Sequence, residues 1–297
     1  MTDLVSAPLA ASDGATDDVT ADVRRRARAC LQEADALLSR VDPSWSPPPY
    51  DPVLVAQALG IRCVEVRDNS FQGALICVRD GQPVILYRPH RDPCRTRFSL
   101  FHEIGHTLFP EGTRHRLGPG PGSPLLEPEG RLERLCDAAA LEMLLPRDHF
   151  DADLDAGGFG AARLAQLGDR YGAGVESVAL RMVDAPMAPP CAVVLVEHGR
   201  PTRWRRRQAG GQPADFAVTY AAYSSLFRET GRFLARGLDL RRSSHLRAAA
   251  RSGKPETGTE RLPLLTGDAH PFHVEALPLD DRPRRKGFSD VLAFVYP

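Results

Sequence analysis

Residues 97–108 read Arg-Phe-Ser-Leu-Phe-His-Glu-Ile-Gly-His-Thr-Leu. Apolar side chains recur through this stretch at helical spacing and a proline follows it, so we predict an amphipathic helix capped by Thr96 and ending near Leu108. On that helix His102 and His106 lie one turn apart on the same face, where both imidazoles can reach one metal ion. Glu103 lies beside the first histidine, where its carboxylate can take a proton from water activated at the metal.

An H-E-x-x-H match also occurs by chance, and the competing interpretation is a pair of histidines on a helix surface. The amphipathic context favours the metal site. Gly105 costs the helix roughly 1 kcal/mol relative to alanine, which predicts close packing or substrate access at that position. The expected metal is Zn²⁺, because two imidazoles and a carboxylate are typical ligands of a catalytic zinc ion.

A catalytic zinc ion needs a third protein ligand and one open position. We predict a second helix over residues 131–145, on which Glu133 and Asp137 lie one turn apart. One of them can bind the metal while the other accepts a hydrogen bond from a ligating imidazole. Weaker candidates for the third ligand also follow the motif: Glu111, His115, Glu127, Glu129 and Glu142. Of these, Glu142 is expected to face solvent.

The remaining patterns predict an α+β fold. Before the metal helix we expect an N-terminal helix, a short helix over 52–59 and three strands over 61–66, 73–78 and 83–87. Asp80-Gly81 predicts a hairpin between the last two strands. Two helical segments follow the second helix, near 160–171 and 175–184. After the prolines of 185–190 we expect strands over 191–197, 272–279 and 291–296, and a helix over about 214–238.

These elements predict four regions. Residues 1–20 are expected to form a disordered tail, and residues 21–49 a helix with a proline-rich linker. Residues 50–187 form the domain with the metal site, and residues 190–297 a smaller α+β module. Aromatic residues of the predicted 214–238 helix either pack in a core or bind a ligand or partner: Phe216, Tyr220, Tyr223, Phe227 and Phe233.

Charge and composition narrow the function. Lys+Arg and Asp+Glu number 38 each, which gives a formal net charge of +0 and disfavours direct nucleic-acid binding. Neither an export signal nor a membrane-spanning apolar run is evident. The six cysteines are scattered, as is typical of reduced thiols. We therefore expect a cytoplasmic protein without a membrane association.

The two predicted helices resemble the ImmA/IrrE family of metallopeptidases. The resemblance rests on residues 97–106 and on residues 133–146, which read Glu-Arg-Leu-Cys-Asp-Ala-Ala-Ala-Leu-Glu-Met-Leu-Leu-Pro. Aligned on Pro146, it places the glutamate ligand of the family on Glu133. The chain departs from the family pattern at Cys136, Asp137 and Ala139. Weaker matches extend the resemblance over residues 50–185.

The resemblance implies a zincin-like core in which His102, His106 and Glu133 hold zinc and Glu103 is the general base. Asp137 is then expected to orient an imidazole. Family members typically cleave a helix-turn-helix repressor, so a separate repressor protein is the expected substrate. In radiation-response members the C-terminal part is a GAF-like sensor, which suggests a sensory or partner-binding role for residues 190–297.

Two points stay open from the sequence. An oxyanion stabiliser is required, and the candidates are Arg95, Arg97, His115 and Tyr171, each of which also has a structural interpretation. The alternative function is a regulatory or ligand-sensing protein that retains the zinc site without cleaving peptides. Glu103 favours the peptidase, because a structural zinc site needs no such carboxylate and is usually closed by a fourth protein ligand.

Overall fold

The computed structural model of the chain describes residues 14–66, 73–79, 81–109, 128–198, 216–234, 236–279 and 288–297. The backbone divides into two compact units. The first contains Met1–Phe150 and Gln166–Gly174, and the second contains Asp151–Ala165 and Val175–Pro297. Both contain helices and strands, so the mixed α+β class is confirmed. No helix of the described residues is both long and apolar enough to cross a membrane.

The first unit contains a three-stranded sheet and the helices packed on it. Its strands are β1 (Arg62–Glu65), β2 (Gly73–Arg79) and β3 (Gln82–Arg88), in the order β1-β3-β2. The pairing of β2 with β3 is antiparallel, which confirms the predicted hairpin, and β1 runs parallel to β3. One side of β2 is therefore an edge of the sheet.

Six helices lie wholly or partly in the first unit. They are α1 (Gly14–Val41), α2 (Pro52–Ala58), α3 (Pro93–Leu108), α4 (Pro128–Leu144), α5 (Arg147–Gly157) and α6 (Leu164–Tyr171). Helix α3 packs against both α4 and β2. A short 3₁₀ turn, Ala161–Arg163, precedes α6. Helix α5 was not predicted.

Helix α1 begins at Gly14, earlier than predicted. The apolar periodicity on which the prediction rested starts only at Val23, but residues 15–22 contain neither glycine nor proline and so do not interrupt a helix. Residues 14–20 are thus helical, and the rest of the predicted tail lies outside the described residues. Helix α1 forms ion pairs with α4 and α5: Arg24 lies 3.4 Å from Glu142, and Arg28 lies 2.6 Å from Asp148.

The second unit is built on a five-stranded antiparallel sheet. Its strands are β4 (Ala192–His198), β5 (Phe216–Tyr223), β6 (Glu256–Pro263), β7 (Ala269–Leu279) and β8 (Asp290–Tyr296), in the order β5-β4-β8-β7-β6. Helices of this unit are α7 (Val175–Val183), α8 (Ser225–Glu229) and α9 (Ser244–Ser252).

Both faces of this sheet are covered. On one face, alternate residues of β4, β7 and β8 join Phe227 of α8 and Leu246 of α9 in a buried apolar cluster. On the other face, Phe159 lies edge-on to Phe294 at 5.6 Å between ring centroids. Nearby, the amide of Ala161 donates a hydrogen bond of 2.7 Å to the carboxylate of Glu275. Segment 158–163 is therefore part of the second unit.

The prediction of a helix over 214–238 was wrong. Residues 216–223 form β5, and among the described residues of this range only 225–229 are helical. The pairing of β5 with β4 shifts between Leu195 and Val196, so Thr219 is an extra residue in β5. This bulge places Phe216 and Tyr223 on the same face although they are seven positions apart, an odd number. The resulting spacing of aromatic residues resembles that of a helix.

Candidate metal centre

Helix α3 begins at an Asp-Pro pair rather than at Thr96. The carboxylate of Asp92 accepts a hydrogen bond of 2.9 Å from the amide of Cys94, and Pro93 occupies the first turn. This is a favourable start, because the aspartate satisfies a free helix amide and proline has none to satisfy. The predicted cap was therefore wrong: Thr96 lies within the helix and accepts a hydrogen bond from the amide of His90.

Gly105 allows α3 and α4 to approach closely. A Cβ atom at this position would lie 3.2 Å from the backbone oxygen of Cys136 and 3.5 Å from the Cβ of Ala139. Cys136, Ala139 and Ala140 are all fully buried. The low helix propensity of Gly105 thus accompanies the close packing that we predicted from it.

This packing brings the predicted metal-binding side chains together. The Nε2 atoms of His102 and His106 lie 3.2 Å apart. The carboxylate of Glu133 on α4 lies 3.0 Å from Nε2 of His102 and 3.6 Å from Nε2 of His106. His106 is 1% exposed, whereas 41% of the Glu133 side chain is exposed. The three groups therefore form a small triangle that solvent reaches from the side of Glu133.

The triangle fits a metal ion. Donor atoms that share one tetrahedral zinc ion, at the usual bond lengths of about 2.0–2.2 Å, lie roughly 3.3–3.6 Å from one another. The separations of 3.0, 3.2 and 3.6 Å lie in or just below that range. Ligand atoms of His102, Glu103 and His106 also lie within 4.8 Å of one another. These residues could hold a metal ion, with Glu133 as a further donor.

Asp137 holds the ring of His102. Its Oδ1 atom lies 2.8 Å from Nδ1 of His102. A carboxylate in this position accepts the Nδ1 proton, which leaves the lone pair of the neutral imidazole on Nε2. That is the atom that faces His106 and Glu133. The structure therefore places Asp137 where the expected orienting residue should be.

The carboxylates also change the protonation of His102. Burial by itself lowers the pKa of this imidazole. Hydrogen bonds to Asp137 and Glu133, together with the negative charges of Asp137 and Glu103, outweigh burial and raise the pKa to about 9. Without a metal ion, a proton can therefore occupy the position that a cation would otherwise fill.

The carboxylate of Glu103 reaches the sheet. The residue is 4% exposed, and its Oε2 atom accepts a hydrogen bond of 2.8 Å from the backbone amide of Ile76 in β2. A buried carboxylate is costly unless it is hydrogen-bonded, and the edge strand supplies a donor. We did not predict this contact. Sequence patterns locate a strand but do not show which backbone amides face its free edge.

The weaker ligand candidates are placed as follows. Glu111, His115 and Glu127 lie outside the described residues, as does the side chain of Glu129. Glu142 is paired with Arg24 and with Arg147, each at 3.4 Å, and its side chain is 12% exposed. The expectation that Glu142 faces solvent was wrong, because Arg24 of α1 and Arg147 of α5 cover it.

Three of the candidate oxyanion stabilisers make structural contacts. Arg95 lies 3.7 Å from the Asp92 carboxylate. Arg97 donates a hydrogen bond to the backbone oxygen of Tyr50, and Tyr171 packs on Phe150 with ring centroids 5.5 Å apart. The fourth candidate, His115, lies outside the described residues.

Comparisons with known proteins give a family and a fold relative. A search of curated proteins found no match. A Mycobacterium tuberculosis transcriptional regulator of known structure aligns with a TM-score of 0.51 at 14% identity, over 95% of this chain and 93% of that one. At this identity the likeness concerns the fold alone. The family model for the IrrE N-terminal-like domain, Peptidase_M78, matches residues 56–183. The matched residues include α3 and α4, so the match confirms the ImmA/IrrE resemblance.

Proposed function

We propose that the chain is a zinc-dependent endopeptidase. The observation that carries this proposal is the triangle formed by His102, His106 and Glu133, with the Glu103 carboxylate in the adjoining turn of α3. We further propose that the α3, α4 and β2 elements form a zincin-like core. The match of residues 56–183 to the model of a peptidase family supports both proposals.

Five residues divide three tasks among them. His102, His106 and Glu133 would hold the zinc ion, and Asp137 would keep the His102 ring in the orientation that binds it. A bound zinc ion lowers the pKa of water and polarises a substrate carbonyl. Glu103 takes a proton from the attacking water, whose oxygen forms a bond to the carbonyl carbon. The C–N bond then breaks, and Glu103 delivers the proton to the departing amine.

The substrate that we propose is a separate helix-turn-helix repressor. This part of the proposal rests on the family resemblance of residues 97–106 and 133–146. It implies a role in stress or mobile-element regulation, in the cytoplasm. Each of the six cysteines is a free thiol, which supports a reducing compartment.

A second candidate is a regulatory protein that keeps the metal site but cleaves nothing. One observation favours it: the fold relative is a transcriptional regulator. In this case the second unit would bind a small ligand or a partner. Its aromatic residues do not need that role, since Phe227 is fully buried in the apolar cluster and Tyr223 stacks against it.

The deciding experiment combines metal content with cleavage. Wild type, Glu133→Ala and Glu103→Gln are purified, analysed for zinc and incubated with fluorescently labelled helix-turn-helix repressors and a randomised quenched-peptide library. We expect about one zinc ion per chain in wild type and Glu103→Gln, much less in Glu133→Ala, and cleavage by wild type alone. Zinc without any cleavage would favour the regulatory protein, and wild type without zinc would overturn both candidates.

A further inference from the structure

The edge strand β2 contacts the general base that the proposed function requires. Among the strands that the structure describes, β2 pairs with β3 alone, and Ile76 lies opposite Ile85 in that pairing. The Ile76 amide does not point toward β3, because it donates to Oε2 of Glu103 at 2.8 Å. In an antiparallel pair, amides two residues apart point the same way. Those of Ala74 and Val78 therefore face the same edge.

The contact joins two elements that are far apart in sequence. Glu103 is in the middle of α3, next to His102, and Ile76 lies 27 residues earlier. Both residues are buried, with exposures of 4% and 5%. A long glutamate side chain has three rotatable bonds, and a hydrogen bond to a fixed backbone donor removes most of that freedom. The register of β2 thus determines where the Glu103 carboxylate lies.

We propose that the backbone N–H of Ile76 is a positioning group for Glu103 in proton transfer. This inference rests on the proposed peptidase function and deepens it. The amide touches neither substrate nor metal, and it acts by fixing the plane of the carboxylate that accepts the proton from water. Small errors in the placement of a catalytic group reduce rates strongly, so the strand contributes to catalysis through a single backbone atom.

A purely structural contact is the alternative. Buried amides are almost always hydrogen-bonded. If the contact is only structural, any acceptor at position 103 would satisfy the Ile76 amide. The two cases differ in what a loss of the N–H does. A structural contact would change stability, whereas a positioning contact would change kcat without changing metal content or KM.

The first test needs no substrate. Amide hydrogen exchange of the metal-free full chain is compared among wild type, Glu103→Ala and Glu103→Gln. We expect exchange at Ile76 to be at least about 10-fold faster in Glu103→Ala, because the acceptor is gone. It should stay slow in Glu103→Gln, whose amide oxygen can still accept. Exchange at Ala74 and Val78 is the internal control and should not change. Equal exchange at Ile76 in all three proteins would overturn the inference.

The second test removes the N–H alone. The α-hydroxy analogue of isoleucine is incorporated at position 76, which converts the amide to an ester and keeps the side chain. The matched control is the same replacement at Val78, whose amide faces the same edge. On a repressor or peptide that wild type cleaves, we expect kcat to fall roughly 10- to 100-fold at position 76 and less than about 2-fold at position 78. Zinc content and KM should stay at the wild-type values.

The outcomes separate the two proposals. If wild type cleaves its substrate and the position-76 ester keeps full kcat, the positioning role is wrong and the peptidase stands. If the position-76 ester loses zinc or unfolds, the contact is structural and the positioning role is wrong, even where exchange at Ile76 depends on Glu103. If wild type cleaves nothing, the proposed function fails and the positioning role with it.

Discussion

The Nδ1 atom of His102 lies 2.8 Å from the Oδ1 atom of Asp137, so a carboxylate one turn beyond Glu133 on α4 determines which nitrogen of His102 faces the metal site. Both acidic residues on this face of α4 contact the same imidazole, Glu133 at Nε2 and Asp137 at Nδ1. This geometry supports the proposed division of tasks, in which Glu133 is a ligand and Asp137 orients the imidazole.

Asp137→Ala should weaken zinc binding. Loss of such a support to a ligating histidine typically costs about 10- to 100-fold in metal affinity. Asp137→Asn should lose less, because its side-chain oxygen can still accept the Nδ1 proton. Chelator competition measures the affinity, with Asp155→Ala as a control for removal of an exposed charge elsewhere. Equal affinity in wild type and Asp137→Ala would show that the contact does not support the ligand.

Zinc affinity should rise with pH up to about 9. In the metal-free chain the pKa of His102 is raised from 6.5 to about 9, so the folded state binds a proton there more tightly than the unfolded state does. The resulting stabilisation is complete below pH 6.5 and is lost as the pH rises through 9. Zinc needs the neutral imidazole and must displace this proton.

Calorimetry in buffers of different ionisation enthalpy measures the displaced proton. At pH 7 to 8 we expect His102 to release nearly one proton for each zinc ion bound, and at pH 10 almost none. A proton release that does not decrease between pH 7 and pH 10 would contradict the raised pKa of His102.

Larger side chains at position 105 should disturb both packing and metal binding. The Cβ of Gly105→Ala would lie 3.2 Å from the Cys136 oxygen, so α4 must shift by a few tenths of an ångström. Overpacking of this kind costs about 1–3 kcal/mol, which the gain of roughly 1 kcal/mol in helix propensity offsets in part. Gly105→Val should be worse than Gly105→Ala in the free energy of unfolding and in zinc affinity. If valine is accepted without loss in either quantity, close packing is not the reason for glycine.

Glu275→Ala should destabilise the second unit. The Glu275 carboxylate accepts the amide of Ala161 at 2.7 Å, and the replacement leaves that donor without its acceptor. Such a loss costs about 1–3 kcal/mol in the free energy of unfolding. Urea unfolding measures it, and Asp268→Ala, which removes an exposed carboxylate at the turn between β6 and β7, is the control. Equal stability of the two variants would mean that water replaces the carboxylate.

The elements around the metal site were largely predictable from sequence. The H-E-x-x-H pattern lies on α3, and Glu133 and Asp137 lie on α4 as expected. Their spacing of four residues is enough to put them on one face of a helix. The same reasoning could not find Ile76, because its contribution is a backbone amide, and backbone direction at a sheet edge depends on pairing register rather than on residue type.

The main wrong prediction, a helix in place of strand β5 at residues 216–223, has a specific physical cause. A strand is recognised by alternation with a period of two residues, and the bulge at Thr219 breaks that alternation in its middle. With Phe216, Tyr220 and Tyr223 four and three residues apart, the pattern matches a helical period instead. Only the pairing with β4, which lies elsewhere in the sequence, decides between the two interpretations.

Strand order in the second unit has a consequence for how the protein is made. β8 comes last along the chain but lies in the middle of the sheet, between β4 and β7. During synthesis, β4 with β5 and β6 with β7 can each form a hairpin, but neither hairpin can join the other until residues 290–296 leave the ribosome. Until then Phe159 lacks its partner Phe294 of β8. A ribosome that stalls shortly before β8 would therefore hold two hairpins with open edges, which are suitable binding sites for a chaperone.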